Sequence, residues 1–329
     1  MIAGNDSPRF FGGLDLGATK ILSLVVDAAG SVLAEDIRPT LGAEGVDAVI
    51  ARMAASLRES LSKAGLSEQQ LTAVGVSAPG PVDHVHGVVT YPPNLPGWRD
   101  VPLASRLQQE LNVPCFLEND ANAAAVAEHR FGAGRGARHM LFITVSSGVG
   151  GGIIIDGALY RGVSGGAGEV GHIILNEDGP PCGCGRRGCL EVYSSGLAIA
   201  REGSEFAAKN PDSRLARIAA ESPPLTAEAI HRAAREGDEA AREIIAGAGR
   251  RLGEGIASLI NILNPELIVL GGSLIKIGDL YLGPAREAAA SAAFPQHWSD
   301  VRIVEVALGD ESPALGAASL AATAASASR

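Results

Sequence analysis

The sequence predicts an α/β protein of two lobes built on a repeated plan, and three observations predict it. Strand-like and helix-like stretches alternate along the 329 residues. Two stretches share one design, a strand, a Gly-bearing polar turn and a second strand: FFGGLDLGATKILSLVVD near the start and MLFITVSSGVGGGIIIDG about 130 positions later. The chain is 46% hydrophobic but only 4% aromatic, so Ala, Val, Leu and Ile must build the cores, over a length that suits two domains or one large α/β unit.

The elements follow in order. FFGGLDL and KILSLVVD form the first hairpin, and SVLAE adds a short strand after the turn DAAG. Val49, Met53, Leu57 and Leu61 recur at every fourth position, which predicts an amphipathic helix ending at Gly65. LTAVGVSAPGPV reads as a strand running into a Pro/Gly turn, VPLASRLQQELN as a helix and VPCFLEND as a strand with Cys115 as a small core residue. A helix, ANAAAVAEHRFG, begins where that strand ends. After the second hairpin, the chain reads as helical from about Ser194 to Asn264, broken at NPDS, ESPPLT and EGD. NPELIVLGGS and VRIVEVAL are late strands, and a last helix starts near Pro313 with Ser312 as its cap. The expected boundaries are a smaller lobe of residues 1–119 plus the last helix, about 313–329, and a larger lobe of 120–312 holding a loop at 172–191.

Formal net charge is −10, which disfavours a duplex nucleic-acid partner. The densest basic stretches, His231–Arg235 and Arg250–Arg251, lie beside glutamates in helical sequence and read as a solvated mixed-charge face. No run approaches the ~18 apolar residues of a membrane span, and MIAGNDSPRF lacks the apolar core of a signal peptide. The expected compartment is the cytoplasm, where thiols stay reduced.

Three of the four cysteines crowd into CGCGRRGC, and His172 lies ten residues upstream of the first of them. Cys182, Cys184, Cys189 and His172 make up the three thiolates and one imidazole of a tetrahedral Zn²⁺ site, with glycines that let the loop turn tightly. Clustering in a reducing compartment favours this reading over incidental thiols. Four protein ligands leave no open position, so such a metal is structural.

LENDANAA places Glu118, Asn119 and Asp120 where a strand gives way to a helix, the usual place for ligand sites in α/β sheets. Asp120 suits a base that takes a proton from a substrate hydroxyl, with Asn119 holding that hydroxyl, and it equally suits a helix cap. GLDLGATK sets Asp15 at a strand end, suited to Mg²⁺, before a turn of Gly17, Thr19 and Lys20 suited to phosphate. SSGVGGG offers Ser147 and Gly148 in a second such turn. Glu169 and Glu191 flank the cysteine loop and suit vicinal hydroxyls of a polyol, although exposed glutamates are common without any such role.

With these residues together, the chain resembles the ROK family of sugar kinases, and within it the bacterial glucokinases. The matching stretches are DLGATK, APGPV, PPNLPGW, ENDANAAAVAE, TVSSGVGGG, GEVGH, CGCGRRGCLE and LGGS, in family order. The resemblance implies the actin-like, two-lobed ATPase fold, a duplicated ribonuclease H-like α/β unit, with the active site in the interlobe cleft. It implies zinc on His172, Cys182, Cys184 and Cys189, and Mg²⁺ with ATP. It implies Asp120 as catalytic base, with Asn119, Glu169, His172, Glu191, Gly80 and Asn94 around the sugar. Asp15, Gly17, Thr19 and Lys20 fall on the first phosphate motif, Ser147 and Gly148 on the second, and Gly271 and Gly272 on the turn near adenosine. Ala18 stands where the family commonly has Gly, and Ser146–Ser147 where it commonly has Gly-Thr.

The expected function is phosphorylation of glucose at its 6-hydroxyl. A kinase for N-acetylmannosamine, N-acetylglucosamine, mannose or fructose is the alternative within the enzymes. A sugar-responsive regulator is the alternative of another class, disfavoured because the thirteen residues before Leu14 are too few for a DNA-binding domain. A homodimer or homotetramer is the expected assembly, with sugar and ATP as the small-molecule partners.

Overall fold

The computed structural model describes residues 9–92 and 95–327. The expected sugar contact Asn94 and the N-terminal MIAGNDSP therefore lie outside the described residues.

The chain opens with strands β1 (Phe10–Leu16), β2 (Lys20–Asp27) and β3 (Val32–Pro39), each antiparallel to its predecessor. Helix α1 (Val46–Lys63) leads to β4 (Leu71–Ala78), which runs parallel to β1. A two-stranded ribbon follows, β5 (Val82–Asp83) with β6 (Val88–Val89), then α2 (Leu103–Leu111) and β7 (Cys115–Asn119), parallel to β4. Helix α3 (Asp120–Phe131) starts directly at the end of β7. The sheet order is β3-β2-β1-β4-β7.

The second half repeats the plan. Strands β8 (Met140–Val145), β9 (Val149–Ile155) and β10 (Ala158–Tyr160) precede a long insertion. The insertion holds the cysteine loop and helices α4 (Glu191–Ser194), α5 (Gly196–Lys209), α6 (Arg214–Glu221), α7 (Ala227–Arg235) and α8 (Glu239–Leu263). Then come β11 (Leu267–Gly271), α9 (Asp279–Ala292), α10 (Pro295–Asp300), β12 (Arg302–Glu305) and α11 (Ser312–Ala327). The sheet order is β10-β9-β8-β11-β12, with β11 parallel to both neighbours. Both sheets thus read third, second, first, fourth, fifth, which is the expected duplication.

The first sheet is covered on both faces, so its strands are apolar along their length rather than alternating. Leu14, Leu16, Val74 and Val76 pack with α1 and α2 through Met53, Leu57, Leu103 and Leu107. Phe11, Leu22, Leu24 and Ala73 pack on the other face with Ala314, Leu315 and Ala318 of α11. Gly75 lets α11 sit against the sheet, since a Cβ there would collide with the Ala317 carbonyl. Burial of the Cys115 thiol pushes its pKa up to about 12, in keeping with a core role.

The chain divides into two compact units: residues up to Arg138 with Gly152–Ala167 and Ala307–Arg329, and His139–Gly151 with Gly168–Val306. This division differs from the expected boundary at 119/120. Helix α3 belongs with the first unit because α11 crosses it closely, at Gly316 against the backbone of Ala123. Buried Glu128 completes the join. One carboxylate oxygen accepts the Leu308 amide at 2.9 Å and the Ser312 hydroxyl at 3.3 Å, and the other accepts the Ala133 amide at 2.8 Å. Ser312 is therefore no cap. A 3₁₀ turn at Gly309–Glu311 runs straight into α11, Ser312 already has helical dihedrals, and its hydroxyl is spent on Glu128 and the Gly309 carbonyl. No helix among the described residues is long and apolar enough to cross a membrane.

Candidate active site

In the first unit the β1–β2 turn is closed by Gly17 N–H donating to the Lys20 carbonyl at 3.0 Å. The Thr40 hydroxyl donates to the Gly17 carbonyl at 2.7 Å, and the Thr40 amide to the Thr19 carbonyl at 2.9 Å. Ala18 and Thr19 at the tip of the turn are exposed, which suits a turn that offers its amides to phosphate. Asp15 precedes the turn and is 9% exposed. Burial raises its carboxyl to about 6, against the opposing pull of the Ser77 hydroxyl, which donates to it at 2.6 Å, and of Lys20. The Lys20 ammonium pairs with Asp310 at 2.7 Å, so the lysine reaches toward the segment before α11. Gly80 sits just past β4, joined to Pro81 by a cis peptide bond.

At the end of β7 the structure separates the two duties that spacing left open for Asp120. Asn119 has extended dihedrals and its side chain accepts the Asn122 amide at 3.1 Å, so Asn119 is the cap of α3. Asp120 is the first helical residue, and its Oδ1 accepts the Ala121 amide at 2.8 Å. Glu118, 4% exposed, anchors this corner. Its Oε1 accepts from the Asn119 amide and the Asn122 side-chain amide, both at 3.1 Å, and its Oε2 accepts from Arg161 Nε at 2.7 Å. A buried carboxylate needs such partners. The sequence placed Glu118 at this junction but revealed neither its anchoring role nor its partner Arg161, 43 residues away.

In the second unit the β8–β9 turn is Ser146–Ser147–Gly148. The Ser146 amide donates to the Gly148 carbonyl at 2.9 Å, and the Ser146 hydroxyl lies 3.0 Å from that of Ser273, just past Gly271–Gly272. Gly272 has φ 91°, and a Cβ there would run into the Val145 carbonyl, so only glycine lets the end of β11 lie against this turn. Ser147 borders a mainly apolar pocket of about 470 Å³ lined by Leu197, Ala200, Arg201, Leu225 and Thr226 among others. No motif in the sequence pointed to this pocket, because its walls come from α5 and the start of α7.

The cysteine loop forms as expected. The ligand atoms of His172, Cys182, Cys184 and Cys189 all lie within 4.8 Å of one another. Cys184 Sγ is 3.6 Å from Cys189 Sγ, and Cys182 Sγ is 3.7 Å from His172 Nδ1. Bonds of about 2.3 Å to sulfur and 2.0 Å to nitrogen give tetrahedral edges of roughly 3.5–3.8 Å, so the donor set fits zinc in type and spacing. Backbone bonds tighten the loop: the Cys182 amide to the Arg186 carbonyl at 2.8 Å, the Gly185 amide to the Cys182 carbonyl at 3.0 Å, and the Leu190 amide to the Ile173 carbonyl at 2.7 Å. His172 turns Nδ1 toward the sulfurs and Nε2 toward Glu169, 3.9 Å away. Glu191 Oε2 accepts the Val149 amide at 2.9 Å. Carboxylates suited to sugar hydroxyls thus flank the loop on both sides, with Glu169 exposed and Glu191 half-buried.

Residues 11–324 match the ROK family. A glucokinase of Halalkalibacterium halodurans is 37% identical over 311 residues, 94% of each chain. A ROK hexokinase of Thermus thermophilus superposes with a TM-score of 0.83 at 35% identity, over 97% of this chain and 99% of that one. A ROK glucokinase of Streptomyces griseus, solved with glucose and AMPPNP, gives a TM-score of 0.81 at 34% identity, over 95% of this chain and 99% of that one.

Proposed function

The chain belongs to the ROK family, and from that premise we propose that it is a sugar kinase transferring the γ-phosphoryl group of ATP to the 6-hydroxyl of glucose. The expected α/β fold of two like sheets matches a ROK hexokinase structure, and this chain carries the expected Cys₃His cluster. The observation that carries the reading is the division of labour at the start of α3. Asn119 caps the helix, so Asp120 is not the cap, and an acid in the first turn beyond a parallel strand suits proton transfer.

Asp120 accepts the proton of the sugar 6-hydroxyl as that oxygen attacks the γ-phosphorus. The bond to the β-phosphate oxygen breaks, and sugar 6-phosphate and ADP result. Asn119, Gly80 and Asn94 line the sugar, and Glu169, His172 and Glu191 accept or donate to its remaining hydroxyls. Gly17 and Thr19 in the first turn, and Ser147 and Gly148 in the second, offer amides and hydroxyls to the phosphates. The pocket beside Ser147 takes the nucleoside, and Gly271–Gly272 shape its edge. Asp15 would face the Mg²⁺ that accompanies ATP, which would supply charge neutralisation. His172, Cys182, Cys184 and Cys189 would hold a structural zinc, which would brace the loop that bears Glu169 and Glu191.

A panel of hexoses and N-acetylhexosamines with Mg²⁺-ATP, followed by ADP release and by mass of the sugar product, tests the reading. Glucose should give the highest kcat/KM. A higher value for N-acetylmannosamine, N-acetylglucosamine, mannose or fructose would move the substrate assignment, and no ADP release with any sugar would end the kinase reading.

A further inference from the structure

The segment that follows the last cysteine holds the second Gly turn at both of its ends. Glu191 opens α4 two residues after Cys189, and its Oε2 accepts the amide of Val149, the first residue after Gly148, at 2.9 Å. Five residues on, the Gly196 amide donates to the carbonyl of Ser146 at 2.7 Å, where the turn begins. A Cβ on Gly148 would stand 2.5 Å from Glu191 Oε2, so a larger residue there would make the carboxylate give way. The same segment is tied to the cysteine loop. Glu191 Oε1 lies 4.0 Å from Cys182 Sγ, Leu190 N–H donates to the Ile173 carbonyl beside His172, and Cys189 itself is fully buried. The turn closes on itself through the Ser146 amide and the Gly148 carbonyl, and the Val149 amide at its exit is satisfied from outside, by Glu191.

We propose that the Cys₃His loop sets the nucleotide-binding turn Ser146–Gly148 through Glu191, so that metal loading controls nucleotide affinity independently of the sugar. This rests on reading Ser147 and Gly148 as phosphate contacts. Glu191 is then a positioning residue for the phosphates as well as a sugar contact. When the loop loses its crosslink, Glu191 leaves the Val149 amide and the turn no longer presents its donors together.

AMPPNP titrated by calorimetry with Mg²⁺ and no sugar tests the proposal, with zinc counted on each sample. Removing zinc with a chelator should weaken AMPPNP binding by about tenfold, the scale of lost outer-shell support at metal sites, and adding zinc should restore it. Glu191→Ala should show the same loss while retaining zinc. Glu191→Gln, whose amide oxygen can still accept the Val149 N–H, should bind AMPPNP within about twofold of the parent. Gly148→Ala should keep zinc and lose affinity. AMPPNP binding unchanged in the zinc-free protein, or unchanged in Glu191→Ala, overturns the proposal; if chelation unfolds the protein, the Ala and Gln pair decides alone. A protein that binds AMPPNP in this zinc-dependent way but phosphorylates no sugar would sink the kinase reading and leave this inference standing.

Discussion

The two sheets share a strand order and differ in how they carry functional groups. In the first, the proposed groups sit on regular structure: Asp15 at the end of β1, bonded by the Ser77 hydroxyl, and Asp120 in the first turn of α3, where Asn119 and Glu118 both bond Asn122. In the second, the turn corresponding to the one after Asp15 holds two serines and a glycine and no acid. Its carboxylates, Glu169 and Glu191, come from the insertion between β10 and β11: Glu169 just before a short 3₁₀ turn, Glu191 at the start of the four-residue helix α4, with only isolated bridges in the loop between them. A strand end positions a side chain with backbone hydrogen bonds already made. An irregular loop must order its backbone by other means, and a crosslink of four side chains is one that works in few residues.

This contrast can be broken at either end. The largest effect is expected at the regular half. Asp120→Asn should cut turnover by about a thousandfold while glucose affinity, measured by calorimetry, stays within a fewfold of the parent. Near-parental turnover would remove Asp120 from its role. Next is the brace behind it. Arg161→Met leaves Glu118 without its cationic partner in a buried position, and should lower unfolding free energy by about 3–5 kcal/mol in denaturant titrations. A change below about 1 kcal/mol would show that Glu118 is satisfied without the arginine.

The third concerns Asp15, whose carboxyl is raised from 3.8 to about 6 by burial. A raised acid binds its proton more tightly folded than unfolded, so the cost of ionising it is absent below the unfolded value. That cost grows as pH rises from about 4 and is complete above about 6, reaching about 3 kcal/mol at most. Asp15→Asn has no such cost. Its unfolding free energy relative to the parent should rise between pH 4 and pH 7, and a flat difference across that range would refute the raised value.

The hairpins and helix breaks were legible because local pattern decides them. Four-residue spacing gave α1, and the Pro, Gly and Asp clusters at NPDS, ESPPLT and EGD fall between α5, α6, α7 and α8 as read. The cysteine loop was legible for another reason: its ligands are close in sequence, and few chemistries explain them. What was not legible depends on partners distant in the chain. Nothing near Ser312 reveals that Glu128, 184 residues earlier, claims its hydroxyl. Likewise Glu118 and Arg161 meet only because residues 152–167 return to the first unit. The choice between Asn119 and Asp120 as cap of α3 needed backbone dihedrals, since both residue types cap helices equally well. The pocket beside Ser147 is lined from three separate stretches, and no single one signals a cavity.

The insertion's dependence on its crosslink is the claim on which the second half of the site stands. A glucose titration by calorimetry, on the protein as purified, after chelation and after zinc is returned, with metal counted each time, tests it most directly. The account predicts one zinc per chain, about tenfold weaker glucose binding when it is removed, and recovery when it is restored. Glucose binding that does not change with the zinc count would contradict it.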